Sequence, residues 1–230
     1  MNLKNYFYIL CAAAMALVTA SCETDNMEAP NCHVAGRICY NGNPIGVRGS
    51  GQGNQTDGSV QIELWQAGFG KETALNVNVA QDGTFSTYIY PGEVRLVTKA
   101  GVGPWSSADT LRLTVKGNTS IDYEVTPYFT ISDVSYAYSA ADSTLTAKFH
   151  VTKVDEEATV KSLGLIVNNT QFVDLAYNKA TATASSQGGD VELSLDCRRL
   201  SSCRSLYARV FVRSDKSNDA VYSTAPYKVW

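Results

Sequence analysis

Apolar and polar residues alternate through most of this chain, and this alternation is the feature that most constrains its fold. A period of two residues is typical of strands that bury one face and expose the other, as antiparallel sheets do. Residues that favour turns, such as those at 81–84 and 187–190, separate the alternating segments. The sequence therefore predicts an all-β protein. The clearest alternating segments are residues 60–65, 75–79, 111–115, 121–125, 145–151 and 191–195.

A proline marks the predicted boundary between two domains. Pro127 follows the alternating segment at 121–125, and proline rarely lies inside a central strand because it cannot donate a ladder hydrogen bond. Each side of Pro127 holds about six or seven short strand-like segments, as a β-sandwich of about 100 residues requires. We therefore predict two tandem antiparallel β-sandwiches, residues 33–127 and 128–230.

The first 22 residues have the pattern of a bacterial lipoprotein signal. Lys4 precedes an apolar run at 6–18, and small residues at 19–21 lead to Cys22. The run is shorter than the ~20 residues of a transmembrane helix, which is the alternative interpretation. Cys22 resembles the cysteine of a lipobox, whose thiol is acylated before cleavage. We predict a signal peptide at 1–21, a lipid on Cys22 that anchors the protein to the membrane, and a polar tether over 22–32.

Charge and cysteine spacing argue against nucleic-acid and metal sites. The chain has 22 acidic and 19 basic residues, a net charge of −3, and no basic patch that would attract nucleic acid. Neither cysteine pair of the predicted domains has the C-x-x-C spacing of a zinc site. Cys197 and Cys203 flank a short turn and could form a small disulfide in an oxidising compartment. Cys32 and Cys39 share one predicted strand and can pair only if the chain turns between them.

Residue types suited to catalysis are few. His33 lies at the start of the first predicted strand, and His150 alternates with apolar neighbours, which places it on the outer face of another. The carboxylates at 155–157 read as a solvated turn. We therefore expect no enzyme and no cofactor, because a hydrolytic triad or a carboxylate pair needs such groups brought together.

The longest irregular stretch, residues 42–58, contains five glycines from Gly46 onward. It leads into the predicted strand at 60–64 rather than into a helix, and it lacks the Gly-Lys-Ser/Thr of a phosphate-binding loop. We expect a flexible surface loop, whose contact with a ligand stays open.

Four motifs of the first half, at residues 34–38, 41–45, 60–64 and 81–85, resemble in order those of the transthyretin-like (carboxypeptidase regulatory-like) β-sandwich. The Pro-Gly-x-Tyr turn of that family has Val94 in place of tyrosine here, and the glycine-rich stretch is an insertion. Residues 206–213 resemble a Tyr-x-x-Arg-Val strand of immunoglobulin-like or fibronectin type III-like sandwiches. If Val210 and Val212 face the core, Leu206 does too and Tyr207 faces away from it.

The order of these motifs, with residues 109–111 and 123–128, is similar to that of two-domain Bacteroidetes lipoproteins of unknown function. Those proteins are encoded beside SusC/SusD-type polysaccharide-uptake pairs. The resemblance covers essentially the whole chain after the signal peptide. It implies an outer-membrane location at the cell surface, SusC/SusD-type partners and an accessory role, without a known activity.

Exposed aromatic rings would let such an accessory protein bind polysaccharide, because rings stack on the apolar faces of sugars at little cost in side-chain entropy. The candidates are Trp105 in a Gly/Pro loop, Trp65 on the outer face of its strand, and Tyr136 and Tyr138 on one strand face. The competing interpretation is that these rings pack against the other domain or at a sandwich edge. The sequence thus predicts a carbohydrate-binding or scaffold component of polysaccharide uptake, with a structural or adhesion lipoprotein as the alternative.

Overall fold

The computed structural model describes residues 28–49, 60–68, 73–106 and 108–230. The chain divides into two units, Met1–Pro30 and Asn31–Trp230. Only residues 28–30 of the first unit are described, and they are exposed and irregular. The predicted signal peptide and Cys22 lie outside the described residues. Within the described ranges, no helix is long and apolar enough to cross a membrane.

The second unit is built from β-strands, which confirms the all-β prediction. The one helical element among its described residues is a short 3-10 turn, Arg198–Leu200. The first half has two sheets, and their strands are β1 Cys32–Tyr40, β2 Asn43–Pro44, β3 Gln61–Gln66, β4 Ala74–Asn78, β5 Thr84–Ile89, β6 Gly92–Thr98, β7 Leu111–Val115 and β8 Thr119–Glu124.

In one sheet of the first half the order is β2-β1-β5, and β8 also pairs with β1. The second sheet has the order β4-β3-β6-β7. All pairs are antiparallel except β1 and β8, which run parallel. This exception to the antiparallel prediction arises because the chain crosses between the sheets at 116–118 and enters beside β1 in the same direction. The alternating apolar residues, such as Val34, Ile62 and Leu96, face inward and are fully buried.

The second half forms another pair of sheets after Pro127. Its strands are β9 Phe129–Ser139, β10 Thr144–Lys153, β11 Val160–Asn168, β12 Ala180–Ala184, β13 Gly189–Asp196, β14 Tyr207–Ser214, β15 Ala220–Tyr222 and β16 Tyr227–Lys228. One sheet has the order β13-β10-β9, and the other has the order β12-β11-β14-β15, with β16 also pairing with β14. Every described pair in this half is antiparallel.

The larger sheet of the second half is buried on both faces. Leu206, Val210 and Val212 lie in the sandwich core, as predicted. Ile166 and Phe211 point the other way and form a second cluster, which the loop after β11 helps to cover. Sheets covered on both sides favour continuous apolar runs, and for this reason β11 and β14 lack a clear period of two.

Part of the glycine-rich stretch packs between the two halves, so the surface-loop prediction is wrong for residues 45–49, whereas residues 42–44 are exposed. Gly46, Val47 and Gly49 are buried. The Gly46 carbonyl accepts a hydrogen bond of 2.9 Å from the Tyr222 amide. The Gly46 backbone approaches Tyr222 so closely that a Cβ atom there would overlap the Tyr222 carbonyl. Residues 50–59 lie outside the described residues.

Candidate functional site

A cleft of about 980 Å³ lies between the two halves of the second unit. The β1–β2 hairpin forms one wall, and β9, β10 and the segment 221–227 form the other. Ligand sites in proteins commonly have volumes of ~300–1,000 Å³, so the cleft has the size of a binding site. The described residues that line it are Tyr40, Asn41, Asn43, Pro44, Ile45, Gly46, Thr130, Ile131, Ser132, Val134, Tyr136, Thr152, Lys153, Val154 and residues 221–227.

A stacked pair of tyrosines forms the aromatic part of the cleft. The rings of Tyr136 and Tyr227 are nearly parallel, at 11°, with centroids 4.8 Å apart. The Tyr136 hydroxyl accepts the Val210 N–H at 3.1 Å and lies 3.1 Å from Ser223 Oγ. Burial raises the pKa of Tyr136, so its phenol stays neutral at physiological pH. Tyr227 is 37% exposed and offers the ring surface that a ligand can reach.

The opposite wall carries two asparagines on a tight turn. Asn41 and Gly42 have φ angles of 51° and 74°, the left-handed conformation that Asn-Gly pairs favour in two-residue hairpins. The Gly42 N–H donates to the Glu124 carboxylate at 2.9 Å, and Asn43 Nδ2 donates to the Asn41 carbonyl at 3.3 Å. The turn is therefore fixed, and the exposed amide side chains of Asn41 and Asn43 stand at the cleft.

The lining of the cleft combines polar side chains with aromatic rings. Its polar side chains are amides, the hydroxyls of serines, threonines and tyrosines, and the ammonium group of Lys153. Among the described residues that line it, none is Asp, Glu or His. These residues present hydrogen-bonding groups and aromatic ring surface at the cleft.

Arg209 joins the two walls from behind. Its side chain is fully buried, and Nε donates to the Ser223 carbonyl at 2.7 Å. The two terminal nitrogens cross to the first half, where Nη1 donates to the Val47 carbonyl and Nη2 to the Gln81 carbonyl, both at 3.0 Å. The guanidinium also lies 4.7 Å from the ring centroid of Tyr222. Burial lowers the pKa of Arg209 to about 10, which leaves it charged at neutral pH.

A second set of contacts holds the halves together beside Arg209. Arg48 Nη2 lies 2.7 Å from Asp219 Oδ1, and Asp219 Oδ2 accepts the Gly103 N–H at 2.8 Å. Asp219 is 3% exposed. A buried ion pair with additional hydrogen bonds fixes a specific geometry, so the cleft lies between two halves that form one body.

Trp105 is a packing residue, and the prediction of an exposed platform is wrong. It is 5% exposed, and its backbone forms an isolated bridge with Pro127. Its ring lies so close to Gly103 that a Cβ atom there would overlap it. The Tyr128 N–H donates to the Pro104 carbonyl at 3.1 Å, so the Gly/Pro loop folds back onto the chain between the halves.

Trp65 lies on the outer face of the β4-β3-β6-β7 sheet and is partly exposed. Its Nε1 donates to Glu63 at 3.2 Å, and the Arg95 guanidinium lies 4.7 Å from its ring centroid. One face of the ring therefore meets a cation. Trp65 is not among the residues that line the cleft.

The two tyrosines of β9 both meet the C-terminal segment. Tyr136 lines the cleft, as described. The ring centroid of Tyr138 lies 5.2 Å from that of Trp230 at a tilted angle, so Tyr138 packs at the sandwich edge outside the cleft. Sequence reasoning missed Tyr227, although the last four residues contain two aromatic rings and thus held a signal.

The four cysteines among the described residues are free thiols, so the possible disulfide between Cys197 and Cys203 is not formed in the structure. The Cys197 thiol is buried and donates to the Leu195 carbonyl at 3.6 Å, so it points away from the turn that separates the two residues. Cys32 and Cys39 lie on the single uninterrupted strand β1 and are likewise free. Within the described ranges, no group of three or more His, Cys, Asp or Glu residues could hold a metal ion.

Two family models match nearly all of the second unit. They are "Protein of unknown function (DUF3823) N-terminal domain" over residues 32–126 and "Domain of unknown function (DUF3823_C)" over residues 129–226. A search of the curated proteins found no match.

Solved structures with the same fold come from Parabacteroides and Bacteroides species. A DUF3823 family protein from Parabacteroides merdae is 33% identical, with a TM-score of 0.79 over 88% of this chain and 100% of its own. One from Bacteroides ovatus is 29% identical, with a TM-score of 0.74 over 87% of this chain and 100% of its own. A Bacteroides uniformis protein for which carbohydrate binding has been proposed is 14% identical, with a TM-score of 0.71 over 87% of this chain and 99% of its own. By the matches to both domains and the Parabacteroides relative, this chain belongs to the DUF3823 family.

Proposed function

We propose that this protein binds carbohydrate in the cleft between its two halves and serves as an accessory component of polysaccharide uptake. The observation that carries the proposal is the stacked pair of Tyr136 and Tyr227 facing the amides of Asn41 and Asn43. Sugar rings present apolar faces and hydroxyl edges, and this combination of aromatic surface and neutral hydrogen-bonding groups complements both.

The Bacteroides uniformis structure gives independent, weaker support. Carbohydrate binding has been proposed for that protein, and it shares the fold of this chain over 87% of the residues. At 14% identity the likeness concerns the fold alone, so the assignment of a ligand to this chain depends on the cleft.

The cellular part of the proposal rests on the sequence. Lipidation at Cys22 would anchor the protein to a membrane, and the resemblance to SusC/SusD-associated lipoproteins favours the outer membrane, the cell surface and a SusC/SusD-type partner.

A structural or adhesion role is the second candidate. The buried contacts of Arg209 and Asp219 between the halves favour it, because a rigid two-domain body is also what a spacer requires. In that case the cleft would bind no glycan.

Substitution of Tyr227 by alanine tests the proposal. Since Tyr227 is the exposed ring of the pair, Tyr227→Ala should weaken binding of polysaccharide by about ten- to hundredfold, if a stacked sugar contributes as much as a stacked base, ~1–3 kcal/mol. The free energy of unfolding should change by only about 1 kcal/mol or less. A glycan array followed by calorimetry on the best ligand measures the first effect, and thermal denaturation the second.

Tyr88→Ala is the matched control. Tyr88 is 61% exposed and lies on β5 away from the cleft, so its loss should leave glycan binding unchanged. Wild-type protein that binds no polysaccharide, or equal affinities for wild type and Tyr227→Ala, would exclude the cleft as the binding site.

A further inference from the structure

A second recess, of about 380 Å³, lies on the loop between β11 and β12. Its rim carries two exposed aromatic rings, Phe172 at 46% and Tyr177 at 39%. The polar groups beside them include the amide side chains of Asn169 and Asn178 and the ammonium group of Lys179. Two exposed rings beside convergent polar groups are typical of a small-ligand site.

The loop that carries the rings is held rigidly by its own buried polar groups. Asp174 is 1% exposed, and its Oδ1 accepts the N–H groups of Ala176 and Tyr177, both at 2.9 Å. Asn168 Nδ2 donates to the Phe172 carbonyl at 2.6 Å. The backbone beneath both aromatic residues is therefore fixed before any ligand arrives, which lowers the entropy that binding would cost.

The other half of the protein also holds this loop. Gln81 Nε2 donates to the Gln171 carbonyl at 3.0 Å, and Gln81 Oε1 accepts the Val173 N–H at 3.1 Å. Within the loop's own half, the Tyr222 hydroxyl accepts the Leu175 N–H at 3.1 Å. The loop is thus part of the rigid body that also carries the cleft.

The charge among the described residues that line the recess is positive and comes from Lys179. None of its described lining residues is Asp, Glu or His, and the carboxylate of Asp174 is turned inward to the loop amides. Lys179 is exposed, and no ion pair of its side chain occurs among the described residues. A lysine that forms no ion pair among the described residues can pair with the charge of an anionic ligand.

We infer that the recess binds one sugar unit that bears a carboxylate, such as a uronic acid of an acidic polysaccharide. The sugar stacks on Tyr177 and Phe172, and its carboxylate pairs with Lys179. This inference rests on the proposed function and deepens it, because the cleft likewise has a single lysine, Lys153, and no acidic residue among its described lining. Two sites on one rigid body would raise the avidity for a chain that reaches both.

Two sugars that differ in one group test the inference on the intact soluble domain pair. Methyl β-D-glucuronide and methyl β-D-glucoside differ at C6, where the first has a carboxylate and the second a hydroxymethyl group. Titration of 15N-labelled protein should shift the amide signals of residues 176–179 with the glucuronide, and the glucoside should bind about tenfold more weakly. Equal affinities for the two sugars, or shifts confined to the cleft amides of Ser223 and Thr224, would overturn the inference and leave the cleft proposal standing.

Three variants separate the two sites. Tyr177→Ala should weaken glucuronide binding at the recess by about tenfold or more, the effect of losing a stacked ring. Lys179→Gln changes only an exposed side chain, and it should remove the preference for the glucuronide. Tyr227→Ala should leave the shifts at 176–179 intact. Recess binding that survives both recess substitutions would overturn the inference, whereas polysaccharide binding unchanged by Tyr227→Ala would overturn the cleft proposal alone.

Discussion

A single guanidinium group, that of Arg209, satisfies carbonyl oxygens in both halves of the protein. Within the second half it donates to Ser223 and Val173, and across the interface to Val47 and Gln81. The sequence placed Arg209 on the strand at 206–213 but gave no sign of burial, because arginine is almost never fully buried unless its donors are paired. Its environment comes from chain segments 128 and 162 residues away, which no local pattern reveals.

Replacement of Arg209 by glutamine should destabilise the protein strongly. The shorter, uncharged side chain cannot reach the acceptors in the first half, and buried carbonyls without partners cost about 1–3 kcal/mol each. We expect the free energy of unfolding in urea to fall by about 3 kcal/mol or more. Arg37→Gln is the control, because the Arg37–Asp122 pair is exposed and such pairs contribute at most ~1 kcal/mol. Equal losses in the two variants would show that Arg209 contributes no more than a surface residue.

At the scale of the element, the sequence predicted strands best where a strand has one buried and one solvent-exposed face. The segments at 60–65 and 111–115 alternate cleanly and correspond to β3 and β7. The sequences of β11 and β14 do not alternate cleanly, because a second apolar cluster, containing Ile166 and Phe211, covers their outer face. The Trp105 loop was misjudged for a related reason, since glycine and proline predict a turn but not whether it folds back onto the protein.

The bridge between Gly46 and Tyr222 is the element that closes the two halves against each other. Gly46→Ala would press a methyl group against the Tyr222 carbonyl, and the backbones would have to separate. We expect a loss of about 1–3 kcal/mol in the free energy of unfolding and faster proteolysis near residues 126–130. At Gly117 an added Cβ meets nothing within 4 Å, so Gly117→Ala should change neither quantity. An undisturbed Gly46→Ala protein would mean that the halves tolerate a wider gap.

At the scale of the whole molecule, the buried tyrosines set the response to alkali. Burial raises the pKa of Tyr123, Tyr136 and Tyr222 above the usual value of 10.0. In the unfolded chain these phenols ionise near pH 10, whereas in the folded protein they stay neutral. The stability that they contribute is therefore present below pH 10 and is lost as the pH rises through their folded pKa values.

Arg209 acts in the opposite sense, because burial lowers its pKa in the folded protein to about 10, from 12.5. Above pH 10 the folded protein therefore holds fewer protons at this residue than the unfolded chain does, which favours the folded state as the pH rises. Three phenols oppose one guanidinium, so we expect the free energy of unfolding in urea to decline steadily above about pH 10. Ultraviolet titration should show phenols that ionise only when the protein unfolds. A stability that is constant or rising from pH 9 to 11 would contradict the prediction.

The sequence predicted the strand content, whereas the cleft depends on how the halves meet. Tyr136 was named as a candidate from its position on a strand face. Its partner Tyr227 lies 91 residues further along the chain, and only the return of β16 to β14 brings the two rings together. The hairpin at Asn41 lies within the family-like motif at 41–45, but its place as the opposite wall of the cleft depends on how the two halves meet.

Because the interface is buried, the two halves of the protein cannot be separated by recombination or truncation without loss of contacts. A break at Pro127 would leave the Arg209 guanidinium in one fragment and two of its acceptors, the carbonyls of Val47 and Gln81, in the other. Either fragment alone would expose surface that is buried in the intact chain. Recombination, truncation and fusion should therefore keep both halves together as one piece, with a cut between Pro30 and Asn31, where the second unit begins.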